Sequence, residues 1–188
     1  MKVLAFSGSL RRDSYNTKLL RAAARLLPDG AELELWDRLR EVPPYDEDDD
    51  VEPTPAAVAA LRAAIAGADA ILVATPEYNS SIPGQLKNAL DWVSRPLAKN
   101  PLRGKPVAVV GASAGAFGAV WSQAELRKVL GAMGGRVLEG GVSVGHAPTR
   151  FEGDHLVDTE LREQLAEVVM GLVEEGRVVA DRPLSSAA

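Results

Sequence analysis

Three stretches of this chain are almost continuously apolar and bounded by turn formers or charge: KVLAFS at 2–7, DAILVAT at 69–75 and KPVAVVGAS at 105–113. A strand with one wet face alternates in polarity. A run without a polar face has to be covered on both sides, and a parallel sheet flanked by helices provides that cover. Helical patterns separate the runs. In NTKLLRAAARLL (16–27), Leu19, Leu20, Ala23, Ala24 and Leu27 form one stripe, and Pro28-Asp29-Gly30 stops it.

The remaining segments follow the same alternation. AELELW (31–36) alternates and suits a strand nearer the sheet edge. Residues 37–54 form a long loop with Pro43, Pro44 and the solvated acidic run DEDDD. TPAAVAALRAAIAGA (54–68) reads as a Thr-capped helix with Pro55 at its first position. PGQLKNALDWVSRP (83–96) is a helix, GAFGAVWSQAELRKVLGAMG (115–134) a loop and helix, and RVLEGGVSV (136–144) a broken fifth strand. DTELREQLAEVVMGLVEEG (158–176) is a helix capped by Asp158, and 177–188 reads as a frayed tail after a single domain at 1–176. Five strands alternating with five helices give a parallel α/β sheet, whose ligands sit beyond the carboxyl ends of its strands.

The first such end is GSLRRDSYNTKLL (8–20), with Ser9, Arg11, Arg12, Ser14, Asn16 and Thr17 crowded into one strand-to-helix turn. Free N–H groups and the dipole at the start of a helix favour an anion there, and hydroxyls with a guanidinium add donors. The turn carries neither a Walker-type loop nor a G-x-G-x-x-G fingerprint. Two readings stand: a phosphate cup, or a Ser14 helix cap beside solvated arginines. The second end, TPEYNSSIPGQ (75–85), brackets Tyr78 and small polar residues between Pro76 and Pro83. It either offers an aromatic face and fixed N–H groups to a flat polar ring or is a rigid turn with Tyr78 packed on a neighbour. In the third, GASAGAFGAV (111–120), glycines permit close approach of backbone to a ligand, or simply make a flexible loop.

Composition narrows the chemistry. The chain has no cysteine, which excludes thiolate catalysis, disulfides and Cys-held zinc or iron–sulfur clusters, so redox work needs a bound cofactor. A net charge of −5 offers no broad basic surface for nucleic acid. No apolar run approaches the roughly 20 residues of a membrane span, and the N-terminus is too short for a signal peptide, so the cytoplasm is the expected compartment. GASAG (111–115) also matches G-x-S-x-G, with Ser113 as a nucleophile and His146 or His155 as a base, although Gly115-Ala116-Phe117-Gly118 goes on looping where a nucleophile elbow enters its helix.

Taken together, GSLRRDSYNTKLL, ATPEYNSSIPGQLKNALDW and GKPVAVVGASAGAFGAVWSQAELRKVL resemble the NADPH-dependent FMN reductase family, the flavodoxin-like group that includes chromate and quinone reductases. The likeness runs over residues 1 to about 145. It implies a three-layer sandwich with strand order 2-1-3-4-5 and bound FMN, with NADPH or NADH as co-substrate. By that resemblance Ser9, Arg11, Ser14, Asn16 and Thr17 correspond to phosphate ligands. Pro76, Glu77, Tyr78 and Asn79 correspond to the loop along the isoalloxazine, and Ser113 and Gly115 to contacts at its pyrimidine side. Where many members have a second glycine after Gly118, this chain has Ala119.

The resemblance further implies ping-pong hydride transfer to FMN and on to a quinone, azo dye, chromate or flavin acceptor. No catalytic acid or base is expected, and Glu77 is expected to face solvent. A homodimer or homotetramer is expected, with Trp92, Trp121 and Leu126 at the subunit surface. An electron carrier without nicotinamide turnover, or a flavin-bound sensor, would share the cofactor but not the activity.

Overall fold

The computed structural model describes residues 1–180. Strands β1 (Lys2–Ser7), β2 (Glu32–Trp36), β3 (Ala70–Thr75) and β4 (Pro106–Ala112) alternate with helices α1 (Tyr15–Ala24), α2 (Ala56–Ala66) and α3 (Gly84–Val93). Helix α4 (Val120–Ala132) follows, then two short pieces β5 (Arg136–Val137) and β6 (Ser143–Val144). A small hairpin, β7 (Phe151–Glu152) and β8 (His155–Leu156), precedes the long helix α5 (Thr159–Ala180).

The main sheet runs β2-β1-β3-β4-β5 with every pairing parallel, and β6 joins β4 beyond β5. This is the expected flavodoxin-like order, with the switch between β1 and β3. The three continuous apolar runs occupy the middle of the sheet. All residues of β3 and β4 are buried, whereas β2 at the edge alternates exposed and half-buried positions before the buried Trp36. Alternate residues feed two cores. Leu4, Phe6, Ile71, Val73, Val107 and Val109 pack under α2, α3 and α4, while Val3, Ala5, Leu72, Ala108 and Val110 pack under α1 and α5.

Local differences from the sequence reading have local causes. Helix α2 begins at Ala56 with Pro55 as its N-cap and no side-chain cap, so Thr54 does not cap it. The fifth strand is broken because Arg127 of α4 occupies its middle. The Arg127 guanidinium donates to Val109 O at 2.9 Å and Gly140 O at 3.3 Å. Half-burial without an acidic partner pushes its pKa down. Asp158 caps α5, accepting from Leu161 N at 3.0 Å, and the helix continues through Ala180, four residues past its expected end at Gly176. The rest of the expected tail, 181–188, lies outside the described residues. Within the acidic run, Asp50 is not solvated: it pairs with Arg62 at 3.0 Å, and Arg62 also donates to Trp92 O.

Candidate functional site

The three unusual loops leave neighbouring strand ends on the same edge of the sheet. The turn after β1 is fixed from below by Gly8 N donating to Ala74 O at 2.8 Å. Ser14 is the N-cap of α1: it is buried, extended in backbone, and its Oγ accepts from Asn16 N at 3.2 Å and Thr17 N at 3.4 Å. The capping expectation is therefore met, and the Ser14 hydroxyl keeps its proton to donate elsewhere. Ser9 Oγ accepts from Arg11 N at 3.4 Å. Among the described residues, the N–H groups of Leu10, Arg12 and Asp13 have no protein acceptor.

A cavity of about 220 Å³ opens beside this turn, lined by Ser9, Arg11, Arg12, Thr17 and Arg21, with Asp37 as its one acid. Arg11 and Arg12 are exposed and, among the described residues, make no ion pair. Arg21 is neutralised by Asp154 at 3.1 Å. Loose N–H groups, hydroxyls and unpaired guanidinium groups at a helix start form an anion-binding donor set.

Asn16 is placed differently from its neighbours. Its side chain is buried and bonds the last residue of β4 in both directions, Nδ2 to Ala112 O at 3.0 Å and Ala112 N to Oδ1 at 2.9 Å. The β3–β4 ladder ends at the pair Thr75–Gly111, so this amide serves Ala112 as the next residue of a neighbouring strand would. The structure thus brings Ser9, Arg11 and Thr17 to the cavity, and turns the Asn16 side chain into a tie between the first and third loops.

The second loop closes as a two-residue hairpin. Tyr78 and Ser81 exchange backbone hydrogen bonds at 3.2 and 3.1 Å, and Asn79 and Ser80 both adopt positive φ, 52° and 59°. This is the geometry of a type I′ turn. Pro76 is buried beneath it, Tyr78 is half exposed, and the N–H groups of Asn79 and Ser80 carry no protein acceptor among the described residues. Glu77 does not face solvent as expected. Its carboxylate accepts from Ser122 N at 3.0 Å, capping α4 from outside its own chain segment. That cap is needed because the residue entering α4, Ala119, is left-handed at φ 63° and supplies no side-chain acceptor. Ser81 Oγ donates to Glu125 at 2.6 Å, and Thr75 Oγ1 meets Ser122 Oγ at 2.9 Å, so the loop is lashed to the first two turns of α4.

The third loop leans on the segment after β6. Ser113 N donates to Val144 O, Ala147 N to Ser113 O and His146 N to Gly115 O, at 2.8–3.0 Å. Gly118 and Gly145 permit this docking: a Cβ on Gly145 would overlap the Ala116 carbonyl, and one on Gly118, at φ +58°, would overlap the Ser143 backbone. The buried Gln123 of α4 completes the anchor, donating to Gly118 O at 3.0 Å and Ser143 Oγ at 2.8 Å. Ser113 Oγ donates to Gly115 O at 3.3 Å. No hydrogen bond joins Ser113 to a histidine among the described residues, and His155 Nδ1 is engaged by Arg25 at 3.3 Å. The hydrolytic constellation is not assembled.

Two of the aromatic or apolar residues expected at a subunit surface are core. Trp92 and Leu126 are both 0% exposed, and Trp92 Nε1 is held by Pro43 O at 2.9 Å. Trp121 is exposed and meets the exposed Phe117 edge to face at 5.0 Å.

A parallel sheet with an anion cup at its first strand end, and two rigid loops with free N–H groups at the next two, defines a flavodoxin-like protein equipped for a phosphorylated planar ligand. Comparison with known proteins makes this specific. Residues 1–149 match the family model described as NADPH-dependent FMN reductase. An NAD(P)H-dependent FMN reductase of Pseudomonas aeruginosa is 42% identical over 174 residues, covering 92% of this chain and 93% of the relative. A quinone reductase of Escherichia coli K12 is 40% identical over 131 residues, 69% of each chain. Among solved structures, the flavoenzyme NAD(P)H:(acceptor) oxidoreductase FerB of Paracoccus denitrificans superposes with a TM-score of 0.84 at 33% identity, covering 94% of this chain and 97% of that one. The chain belongs to the NADPH-dependent FMN reductase family, and is an FMN-dependent oxidoreductase that uses a nicotinamide donor.

Proposed function

We propose that this protein is a quinone-type NAD(P)H reductase in which the turn after β1 holds the FMN phosphate and the second and third loops flank the ring. The observation that carries this reading is the donor set of the 220 Å³ cavity, where Ser9, Thr17 and Arg11 face a space with a single acid. The fit is chemical: a phosphate monoester wants several short N–H and O–H donors and a guanidinium fork, and each charge-assisted bond contributes about 1.5–3 kcal/mol. When bound, FMN supplies the redox chemistry, taking a hydride from NAD(P)H and passing two electrons to a small acceptor in alternating ping-pong half-reactions.

The chain's own residues bind and orient. Ser14 caps α1 through its oxygen, and its hydroxyl proton would be free to donate to a phosphate bound at the turn. The Asn79 N–H, held by the hairpin and without a protein acceptor among the described residues, would be available to hydrogen-bond a flavin edge, with Pro76, Glu77 and Tyr78 beside it. Ser113 and Gly115 of the third loop would contact the flavin's pyrimidine side. No side chain is assigned as acid or base. Quinones are the favoured acceptors, because relatives named quinone reductase are 40% identical to this chain.

The exposed Phe117–Trp121 pair beside the third loop supports assembly into a homodimer or homotetramer. No helix of the described residues is long and apolar enough to cross a membrane. A need for a reduced nicotinamide donor favours the cytoplasm as the compartment.

The test is FMN titration of flavin-stripped protein, read by quenching of flavin fluorescence, with parent and Arg11→Ala. Loss of one charge-assisted bond of about 1.5–3 kcal/mol weakens binding roughly 10- to 150-fold. A parent that ignores FMN, or an Arg11→Ala protein that binds it equally well, defeats the assignment. Stopped-flow reduction by NADPH in the absence of acceptor, followed by reoxidation by a quinone, tests the ping-pong order.

A further inference from the structure

A cavity of about 330 Å³ lies at the C-terminal end of α1, between that helix, the strand β8 and the first turn of α5. It shares no residue with the cavity beside the opening turn. Its polar lining is Arg25, His155 and Arg162, and no carboxylate lines it. The rest of its wall is apolar. Ala22 and Leu156 are buried, Leu26 is half-buried, and Val157 is left 42% exposed.

The three polar groups are donors in search of an acceptor. Arg25 is fixed through Nη1, which donates to Asp154 O at 2.9 Å and to His155 Nδ1 at 3.3 Å. A guanidinium only donates, so Nδ1 is the acceptor and the ring proton sits on Nε2, a further donor. Among the described residues, Nε and Nη2 of Arg25 and the whole Arg162 guanidinium have no protein acceptor. The acids of the hairpin and of the α5 cap are committed elsewhere. The Asp154 carboxylate pairs with Arg21 at 3.1 Å, and Asp158 serves Arg150 and the Leu161 N–H. The negative end of α1 is covered as well: Ala22 O accepts from Arg25 N and Ala23 O from Leu26 N.

We infer that this cavity binds a small organic carboxylate with an apolar body, the carboxylate between Arg25 and Arg162 and the body over Leu26, Leu156 and Val157. A carboxylate only accepts, and it takes guanidinium N–H groups two at a time, which matches a rim made only of donors. Inorganic phosphate would answer the charge and leave the apolar wall in water. A neutral apolar molecule would cover the wall and leave the guanidinium groups unmatched. The volume is at the small end of ligand cavities, room for a short chain or a single ring. The site is independent of the flavin function proposed above. The phosphate cup lies at one end of α1 and this cavity at the other, and a helix of 10 residues separates them by about 15 Å.

The test is calorimetric titration of FMN-saturated protein with hexanoate and, in parallel, with acetate, 1-hexanol and inorganic phosphate. Hexanoate is expected to bind about 10-fold or more tighter than each of the other three. Arg162→Gln removes a guanidinium that bonds nothing else among the described residues, and should weaken hexanoate by about 10-fold or more, with Arg162→Lys recovering part of the loss. Val157→Asp supplies a carboxylate from the chain itself at the exposed rim and should abolish binding. Both variants should keep the flavin content and the urea midpoint of the parent.

A parent that ignores hexanoate overturns the site. Acetate binding as tightly removes the apolar wall from the account, 1-hexanol binding as tightly removes the arginines, and a preference for phosphate makes this a plain anion site; each defeats the assignment. Hexanoate that displaces FMN, or that binds Arg162→Gln and Val157→Asp as it binds the parent, sits elsewhere and defeats it too. If the protein takes up no FMN, the functional reading fails, and the same titrations of the flavin-free protein still decide this one.

Discussion

Replacing Asn16 with Leu separates two roles that the sequence alone leaves merged. The Leu side chain is close in size but leaves Ala112 N–H and C=O, both now bonded to the Asn16 amide at 2.9 and 3.0 Å, with no partner. The site is dry: Asn16 is 2% exposed and Ala112 is also 2%. Each stranded backbone group costs about 1–3 kcal/mol, so the pair costs about 2–6 kcal/mol. At roughly 2–4 °C per kcal/mol for a chain of this size, the middle of that range lowers Tm by about 8–16 °C. The measurement is urea unfolding of flavin-stripped protein followed by far-ultraviolet circular dichroism, with the m-value checked against the parent. Asn16→Asp is the informative companion. Its ionised carboxylate can accept from Ala112 N but cannot donate to Ala112 O, and it buries a charge, so it should be destabilised at least as much at neutral pH. If stripped Asn16→Leu unfolds within about 0.5 kcal/mol of the parent and only its FMN affinity falls, then Asn16 is a phosphate ligand and the tie contributes nothing.

Glu77→Ala should cost about 0.5–2 kcal/mol by uncapping α4, and Glu77→Gln should recover most of it except the charge–dipole part, as read from urea midpoints. Gly145→Ala forces a methyl group onto the Ala116 carbonyl. It should cost about 1–3 kcal/mol and weaken FMN binding by displacing the third loop, whereas Gly84→Ala, with open space around its Cβ, should leave stability close to the parent. Lys105 donates to the Ala66 and Ala68 carbonyls at the end of α2, and burial lowers its pKa below 10.5. Between that lowered value and 10.5 the unfolded chain binds more protons than the folded one, so this residue makes stability rise with pH in that window. In Lys105→Met the rise should be absent from urea midpoints measured across it; an identical rise would refute the assignment.

The fold was readable because its determinants are local. Continuous apolar runs, one alternating edge strand and turn formers between helical stripes were enough to give the parallel sheet, and the motif likeness gave its order. The hairpin at 151–156 went unread although Gly153-Asp154 between short paired segments is a turn signal. The parts of the site that escaped are those whose partners are remote in sequence. Glu77 bonds a backbone 45 residues away and Asn16 one 96 residues away, and nothing in the neighbourhood of either residue announces it. Gln123, buried between Gly118 and Ser143, was likewise hidden inside an ordinary helical stripe. The expectation of Trp92 and Leu126 at a subunit surface rests on their standing on the helices after the second and third loops, which the resemblance marks as assembly surfaces. Their position beneath α3 and α4 follows from which helix face meets the sheet.

Helix α4 begins between the second and third loops. Glu77 and Ser81 reach it from one side, and Gln123 ties it to Gly118 on the other, so a single helical end serves as the common footing for both walls of the gap between them. The two walls cannot drift apart independently; widening the gap means rotating a helix whose Leu126 and Leu130 are locked in the core. The aperture therefore behaves as a fixed gauge. A flat ring would fit such a gap as it stands, and a thicker group would enter only by turning the helix.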